Sequence, residues 1–347
     1  MKSGSETGRG LKEIFRIVYA LLIFFPIVAH AQSNGVISGR VTNGAGAGIE
    51  GVKVIAEDSD VYNLFINEDN TDVNGNYTIK DLPAGNVKIV FVGGYAGYIA
   101  EWYNDKIDFD SADPVAVTAG GTTVGIDAVL EIGGTVSGRI TDGRGVGVQS
   151  VLVAVVDRDN NHIGLWNYTD GDGNYKIVGL PPGNVYMFFN GYDAGYVSEW
   201  YNDKTDLNSA DPIMITKGGV TIGIDAVLEL GGTVAGRVTN GEGAGIQWVR
   251  VIVKDSNDIA VGSSVTKTNG EYNINALPAG NFKIFFDGSN ANYLSRWYDD
   301  KIDFDRADPI AVKRGEVTPN IDVVLRKNFQ FLPGIFKMLL LETAQFR

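Results

Sequence analysis

The chain contains the stretch Val36-Ile-Ser-Gly-Arg-Val-Thr42, which decides the fold because it occurs three times. It recurs as Val136-Ser-Gly-Arg-Ile-Thr141 and as Val234-Ala-Gly-Arg-Val-Thr239. The glycines of the three stretches are spaced by 99 and 98 residues. This period exceeds the roughly 20–50 residues of a solenoid repeat and is close to the size of a β-sandwich domain. We therefore predict three tandem copies of one domain.

Within each copy, apolar residues alternate with polar ones in short segments, which is typical of half-buried strands. In the second copy the segments are 134–141, 150–156, 163–167, 174–177, 184–189, 212–216 and 223–229. Turn residues also repeat, first as an Asn-Gly or Asp-Gly pair before a tyrosine and then as Leu-Pro-x-Gly. These pairs supply the positive φ of tight hairpins. The pattern predicts an all-β chain of three tandem seven-stranded antiparallel β-sandwich domains.

The order of these motifs resembles the carboxypeptidase regulatory-like domain, and the resemblance covers residues 36–325 in three copies. It implies a transthyretin-like (prealbumin-like) sandwich, a fold grouped with starch-binding domains, and an accessory role. The chain also resembles, more weakly, the collagen-adhesin B-type repeats of bacterial surface stalks, in which a Lys–Asn isopeptide bond can form. Arg40 and Asp127 stand at the matching positions here. The resemblance therefore implies an Arg–Asp ion pair in place of that bond.

The repeats set the predicted boundaries at residues 34–132, 133–230 and 231–326, with almost no linker between them. Residues 1–31 are predicted to be a signal peptide, since a basic region and an apolar stretch precede the small residues Ala29 and Ala31. An uncleaved membrane anchor is the alternative, but the apolar run is shorter than the ~20 residues that a span needs. We expect a mature chain that starts at Gln32, has no membrane span and is extracytoplasmic, either secreted or at the cell surface.

Residues 327–347 form a short apolar tail that breaks the repeat pattern. Pro333 and Lys337 interrupt its apolar run, which is too short to span a membrane. Three interpretations of this tail stay open. It docks on the third copy, lies on a surface, or ends a truncated reading frame.

Composition excludes several functions. The formal charge of −13 opposes binding to nucleic acid or anionic lipid, because both need a positive protein surface. The sequence has no cysteine, so disulfides and thiolate metal sites are excluded. Its two histidines are His30, in the predicted signal peptide, and His162, in a variable loop of one copy. We therefore predict no catalytic residues, no cofactor and no enzymatic activity.

The most distinctive motif is a Trp-Tyr pair followed by Asn or Asp residues. Aromatic rings beside amide and carboxylate groups suit a carbohydrate site, because sugars stack on rings and their hydroxyls take directional hydrogen bonds. The alternative is structural, with the Trp closing the sandwich and the polar residues forming a turn. Burial of the Trp rings distinguishes the two interpretations. The candidate ligand-binding residues are Trp102, Tyr103, Asn104, Asp105, Trp200, Tyr201, Asn202, Asp203, Trp297, Tyr298, Asp299 and Asp300.

A weak metal candidate lies in the turn that contains Asp170 and Asp172, where alternating oxygen side chains are similar to the first half of a calcium loop. Counted from Asp170, the twelfth position should hold a bidentate Glu, but it holds Pro181. The third copy has Lys267 in place of Asp170. A hairpin turn is the favoured interpretation, and no metal site is predicted.

These observations predict an exported, non-catalytic bacterial repeat protein that acts as a cell-surface or secreted spacer or adhesive module. The alternative is a carbohydrate-binding protein that uses the repeated Trp-Tyr-Asn-Asp segments. The expected partners are a polysaccharide or cell-surface glycan, or other surface proteins, and not nucleic acid.

Overall fold

The computed structural model describes residues 34–328, except residues 63 and 159–161. The predicted signal peptide with its cleavage site, and residues 329–347 of the predicted tail, lie outside the described residues. Contacts divide the described chain into two compact units, residues 34–92 with 100–130, and residues 93–99 with 131–328. The predicted domain boundaries stay a prediction.

Each repeat contains nine strand segments within the described residues. The first repeat contains β1 (Gly35–Asn43), β2 (Lys53–Asp58), β3 (Phe65–Asn70), β4 (Asn76–Leu82), β5 (Gly85–Val92), β6 (Glu101–Trp102), β7 (Val115–Val117), β8 (Thr122–Val124) and β9 (Ala128–Leu130). The second contains β10 (Gly134–Asp142), β11 (Leu152–Val156), β12 (His162–Tyr168), β13 (Asn174–Leu180), β14 (Gly183–Asn190), β15 (Glu199–Trp200), β16 (Ile213–Ile215), β17 (Val220–Thr221) and β18 (Ala226–Leu228). The third contains β19 (Gly232–Thr239), β20 (Arg250–Lys254), β21 (Ala260–Val265), β22 (Glu271–Leu277), β23 (Gly280–Asp287), β24 (Arg296–Trp297), β25 (Ile310–Val312), β26 (Val317–Thr318) and β27 (Val323–Val324). Four single 3₁₀ turns lie at Gly94–Ala96, Tyr192–Ala194, Ser289–Ala291 and Tyr298–Asp300.

Every repeat is a sandwich of two sheets. One sheet has the order β4-β1-β8 with β9 also paired to β1, and the other has the order β3-β2-β5-β6 with β7 paired to β5. The second and third repeats repeat this topology. Side chains of both sheets form one core, as Val136, Val153 and Phe189 do in the second repeat. The predicted all-β tandem sandwich is confirmed.

The last strand differs in detail from the seven-stranded antiparallel pattern. It is split in two, and both parts pair with the first strand in parallel, as Val36 with Thr122 and Val41 with Ala128 show. Gly125 lies at the break with a φ of 76°, a conformation that glycine adopts without steric cost. The short strand β6 accounts for the other extra segment.

The repeated Gly-Arg pair positions this last strand. A Cβ at Gly39 would lie 2.0 Å from the carbonyl oxygen of Ile126, so only glycine lets the strands approach this closely. The Tyr77 hydroxyl then donates to the same carbonyl at 2.6 Å. Burial raises the pKa of this phenol, which keeps it a neutral donor.

The predicted Arg–Asp ion pair is replaced by a different contact. Asp127 Oδ1 accepts the backbone N–H of Arg40 at 2.7 Å, and the Arg40 guanidinium donates to the carbonyl of Asn74 at 2.8 Å. The aspartate thus caps the backbone at the break in the last strand, and the arginine holds the Asn-Gly turn. The second and third repeats make the same contacts.

Candidate functional site

The Trp-Tyr motif is a tight turn in all three repeats. Trp102 and Lys106 exchange backbone hydrogen bonds at 2.8 and 3.1 Å, and between them Asn104 and Asp105 have φ values of 63° and 56°. Asn and Asp are the side chains that tolerate this conformation best after glycine. The corresponding residues, Asn202, Asp203, Asp299 and Asp300, have the same positive φ. The backbone therefore explains the polar residue types.

The polar side chain that directly follows the tyrosine of the motif makes a contact within its own repeat. Asn104 Nδ2 donates to Asp113 Oδ2 at 2.8 Å, and Asn202 makes the same bond to Asp211. In the third repeat Asp299 replaces the amide, and Lys301 Nζ lies 3.2 Å from carboxylate oxygens of both Asp299 and Asp308. Each version ties the turn to the loop that follows it.

That loop covers the tryptophan. Trp102 is 9% exposed and lies 5.4 Å from the ring of Phe109, and Trp297 is 7% exposed and lies 5.3 Å from the ring of Phe304. In the second repeat Leu207 and the half-buried Trp200 pack against the same small buried cluster. These rings are covered by their own repeats, which favours the structural interpretation.

The tyrosines of the motif point to the opposite face of the sheet, since adjacent strand residues alternate. Tyr201 and Tyr298 pack against the cores of their repeats, and Tyr103 is half-buried. Both faces of the motif are therefore covered, one by the core and the other by the loop. Binding by these twelve residues stays a prediction.

The turn with the weak metal candidates is closed by its own hydrogen bonds. Asp170 Oδ1 accepts the backbone N–H groups of Asn174 at 2.8 Å and Asp172 at 3.0 Å. The bond from Asn174 is the main cause that holds the pKa of Asp170 below its usual value. Across residues 34–328, apart from the gaps named above, the structure contains no group of three or more metal-ligating side chains.

Glu199, next to Trp200, is an unusual carboxyl group. Its Oε1 is buried without a hydrogen-bond partner, and this desolvation raises the pKa of Glu199 to about 7, with help from Asp203 and Glu229. In the third repeat Arg296 takes this position and lies 3.5 Å from Asp300. The two repeats thus place opposite charges at the same site.

We expect Glu199 to make the second repeat pH-dependent. The folded pKa is raised above the ordinary value of 4.5, so its contribution to stability is present below pH 4.5 and is lost as pH rises through about 7. Glu199→Gln mimics the protonated form and should match the wild type at pH 4 but melt at a higher temperature at pH 8. Calorimetry of the full chain measures this, with the exposed Glu242→Gln as the control. An equal pH dependence in wild type and Glu199→Gln would contradict it.

Sequence reasoning missed a row of aromatic side chains on the second repeat. Trp166 and Tyr168 lie on the edge strand β12, are 48% and 49% exposed, and have ring centroids 5.5 Å apart. Strand register places Trp166 beside Ala154, then Phe188, then Trp200. Glu68 and Ser263 occupy the position of Trp166 in the other repeats. The sequence feature that indicates this row is a pair of aromatic residues two positions apart on one strand, which places both on the same face.

Fold and motif together define a tandem β-sandwich repeat protein whose repeated aromatic turn is part of the framework. The family model of the carboxypeptidase regulatory-like domain matches residues 36–131 and 233–326, which is more than half of the chain. The chain belongs to this family. Among the described residues, no helix is long and apolar enough to cross a membrane.

The chain is similar to two curated relatives. Serine-aspartate repeat-containing protein F of Staphylococcus epidermidis is 27% identical over 295 residues, which cover 75% of this chain and 17% of the relative. Serine-aspartate repeat-containing protein D of Staphylococcus aureus (strain Newman) is 24% identical over 269 residues, which cover 69% of this chain and 20% of the relative. The chain thus spans at most a fifth of the length of these relatives.

Two solved pilin structures are similar to this chain, with low TM-scores. A streptococcal ancillary pilin has a TM-score of 0.31 at 13% identity, with 86% of this chain and 100% of the pilin covered. The minor pilin of Streptococcus agalactiae has a TM-score of 0.27 at 9% identity, with 56% of this chain and 96% of the pilin covered.

Proposed function

We propose that this chain is a non-catalytic, extracytoplasmic spacer or adhesive module of a bacterial surface. Membership of an accessory-domain family supports the non-catalytic part. Similarity to serine-aspartate repeat-containing proteins of staphylococci supports a module that serves within a longer surface protein. Because a fold does not itself name a function, the proposal rests further on how each repeat is held together.

The observation that carries the spacer role is the parallel pairing of the first and last strands. The chain enters the first repeat at the start of β1 and leaves it at the end of β9, where Leu130 pairs with Asn43. Tension along the chain therefore pulls β1 and its partners in opposite directions. All hydrogen bonds between them are loaded together in shear, instead of opening one after another. The other two repeats share this pairing.

Forced unfolding of single full-length molecules tests the spacer role. We expect the repeats to unfold in separate events, because each has its own pair of sheets. Asp225→Ala removes the acceptor of the Arg139 backbone N–H, a 2.7 Å contact between first and last strands, and should lower the unfolding force of one event. Asp193→Ala, at an exposed site in a 3₁₀ turn, is the control and should change none. The spacer role is contradicted if Asp225→Ala leaves every unfolding force unchanged.

Carbohydrate binding is the second candidate function, and the burial of Trp102 and Trp297 speaks against the turn motif as its site. The aromatic row on the second repeat is the surface that supports an adhesive role, because Trp166 and Tyr168 are about half exposed. A neutral glycan is the partner that suits this acidic chain, since an anionic one would be repelled.

A further inference from the structure

The segment that leaves the second repeat follows a fixed path. The Val197 N–H donates to the carbonyl of Glu229 at 2.8 Å, and the Gly231 N–H donates to the carbonyl of Gly195 at 2.9 Å. Between these bonds Leu230 forms a β-bridge with Tyr196. Glu229 and Leu230 are thus held by their own repeat in one orientation.

A turn of the third repeat receives this segment, and both lie within the second compact unit. Arg314 Nη1 lies 3.7 Å from Glu229 Oε1, and the Gly315 N–H donates to the carbonyl of Gly231 at 3.1 Å. A Cβ at Gly315 would lie 2.8 Å from Leu230 Cδ2. The glycine therefore makes room for the leucine, and the arginine meets the glutamate.

The residues at these positions differ between repeats in a consistent way. The acid position holds Glu131, Glu229 and Arg326 in the three repeats, and the next position holds Ile132, Leu230 and Lys327. The base position, before the glycine of the receiving turn, holds Ala119, Lys217 and Arg314. Lys217 Nζ lies 2.6 Å from Glu131 Oε1, so the pair occurs twice. Among the three described repeats, the acid is present at the end of the first and second, and the base is present in the receiving turn of the second and third.

We propose that Glu-Ile/Leu-Gly-Gly is a docking segment that recognises a basic residue followed by glycine on the next repeat, and that this match fixes the orientation of neighbouring repeats. The partner that fits each segment is a sandwich repeat with a Lys-Gly or Arg-Gly turn. The end of the third repeat, with Arg326 and Lys327, would repel such a turn.

The ion pair supplies selectivity more than strength. Glu229 and Arg314 are 63% and 48% exposed, and solvent screens a pair this open, so it contributes little to stability. Opposed like charges at the same place disfavour docking, which is how charge selects partners at interfaces. The contact of Leu230 with the glycine turn adds apolar burial and requires the same geometry.

Distances between spin labels in the full chain test the proposal. Because the sequence has no cysteine, Lys176→Cys and Asn273→Cys can be labelled specifically, at exposed positions of the second and third repeats. We expect a narrow distance distribution in this background. Glu229→Arg or Arg314→Glu should broaden it, and the double exchange should narrow it again, which separates the pairwise term from the single substitutions.

Glu316→Lys is the matched control, because Glu316 pairs with Lys313 at 3.4 Å in the same turn but within one repeat. It should keep the narrow distribution. Circular dichroism verifies that each variant is folded. Folded single variants with an unchanged distribution, or a folded double variant that stays broad, would overturn the proposal.

Discussion

Replacing Trp297 with alanine is expected to destabilise the third repeat by about 3–5 kcal/mol, as for other large buried aromatic residues. The ring is 7% exposed and lies 4.9 Å from Phe285 and 5.3 Å from Phe304. Lys254 Nζ lies 5.7 Å from its centroid and adds a cation–π contact. Its removal leaves a cavity between the sheet and the loop. Amide hydrogen exchange of the full chain, resolved by mass spectrometry on peptides of the third repeat, measures the loss.

Trp248 provides a matched control in the same repeat. It is 62% exposed, so Trp248→Ala should change stability by less than about 0.5 kcal/mol. Equal protection of the third repeat in Trp297→Ala and Trp248→Ala would mean that the motif tryptophan is not part of the framework. In that case the presence of a tryptophan at the same position in all three repeats would favour a ligand site.

A binding experiment separates the two candidate functions. Trp200 is half-buried and Trp166 is 48% exposed, so alanine variants at both positions can be tested for folding and then for binding to an immobilised polysaccharide. Binding lost only with folded Trp166→Ala would assign a glycan to the aromatic row. Binding lost with folded Trp200→Ala alone would restore the motif as its site.

The sequence predicts the repeat and its hairpins because these features are local. Asn74-Gly75 and its counterparts place positive φ residues between alternating segments, and the turns occur where this pattern puts them. The parallel pairing of the first and last strands is different, since Val41 meets Ala128 far along the chain. Alternation tells which face of a strand is buried but not which strand lies beside it. The parallel direction of the first and last strands therefore cannot be predicted from the sequence pattern.

The candidate site was ambiguous for a chemical reason. Asn and Asp serve both a turn with positive φ and a sugar site, and Trp serves both a core and a stacking surface. What distinguishes the two is the loop that covers Trp102, through Phe109 seven residues later. Neither residue type nor spacing states that this loop folds back onto the sheet. The contact of Asp127 with the Arg40 backbone could not be predicted for a similar reason. The identities of the two side chains suggest an ion pair, but the aspartate accepts a backbone N–H instead.

Gly236→Ala is expected to disrupt the third repeat strongly, although it adds only one methyl group. The new Cβ would lie 2.1 Å from the carbonyl oxygen of Ile321, the group that accepts the Tyr272 hydroxyl at 2.6 Å. Backbone cannot move aside as a flexible side chain does, so the last strand must separate from β19. We expect a loss of at least about 3 kcal/mol, at or beyond the upper end of ordinary overpacking.

Gly241→Ala is the control for this change, because a Cβ there meets nothing within 4 Å and the residue does not have a positive φ. Hydrogen exchange of the full chain should show loss of protection in β19, β22 and β26 for Gly236→Ala and none for Gly241→Ala. The glycine of the thrice-repeated stretch is then required by the approach of the last strand and not by backbone flexibility. Equal protection in the two variants would refute the close approach, and with it the shear geometry on which the spacer role depends.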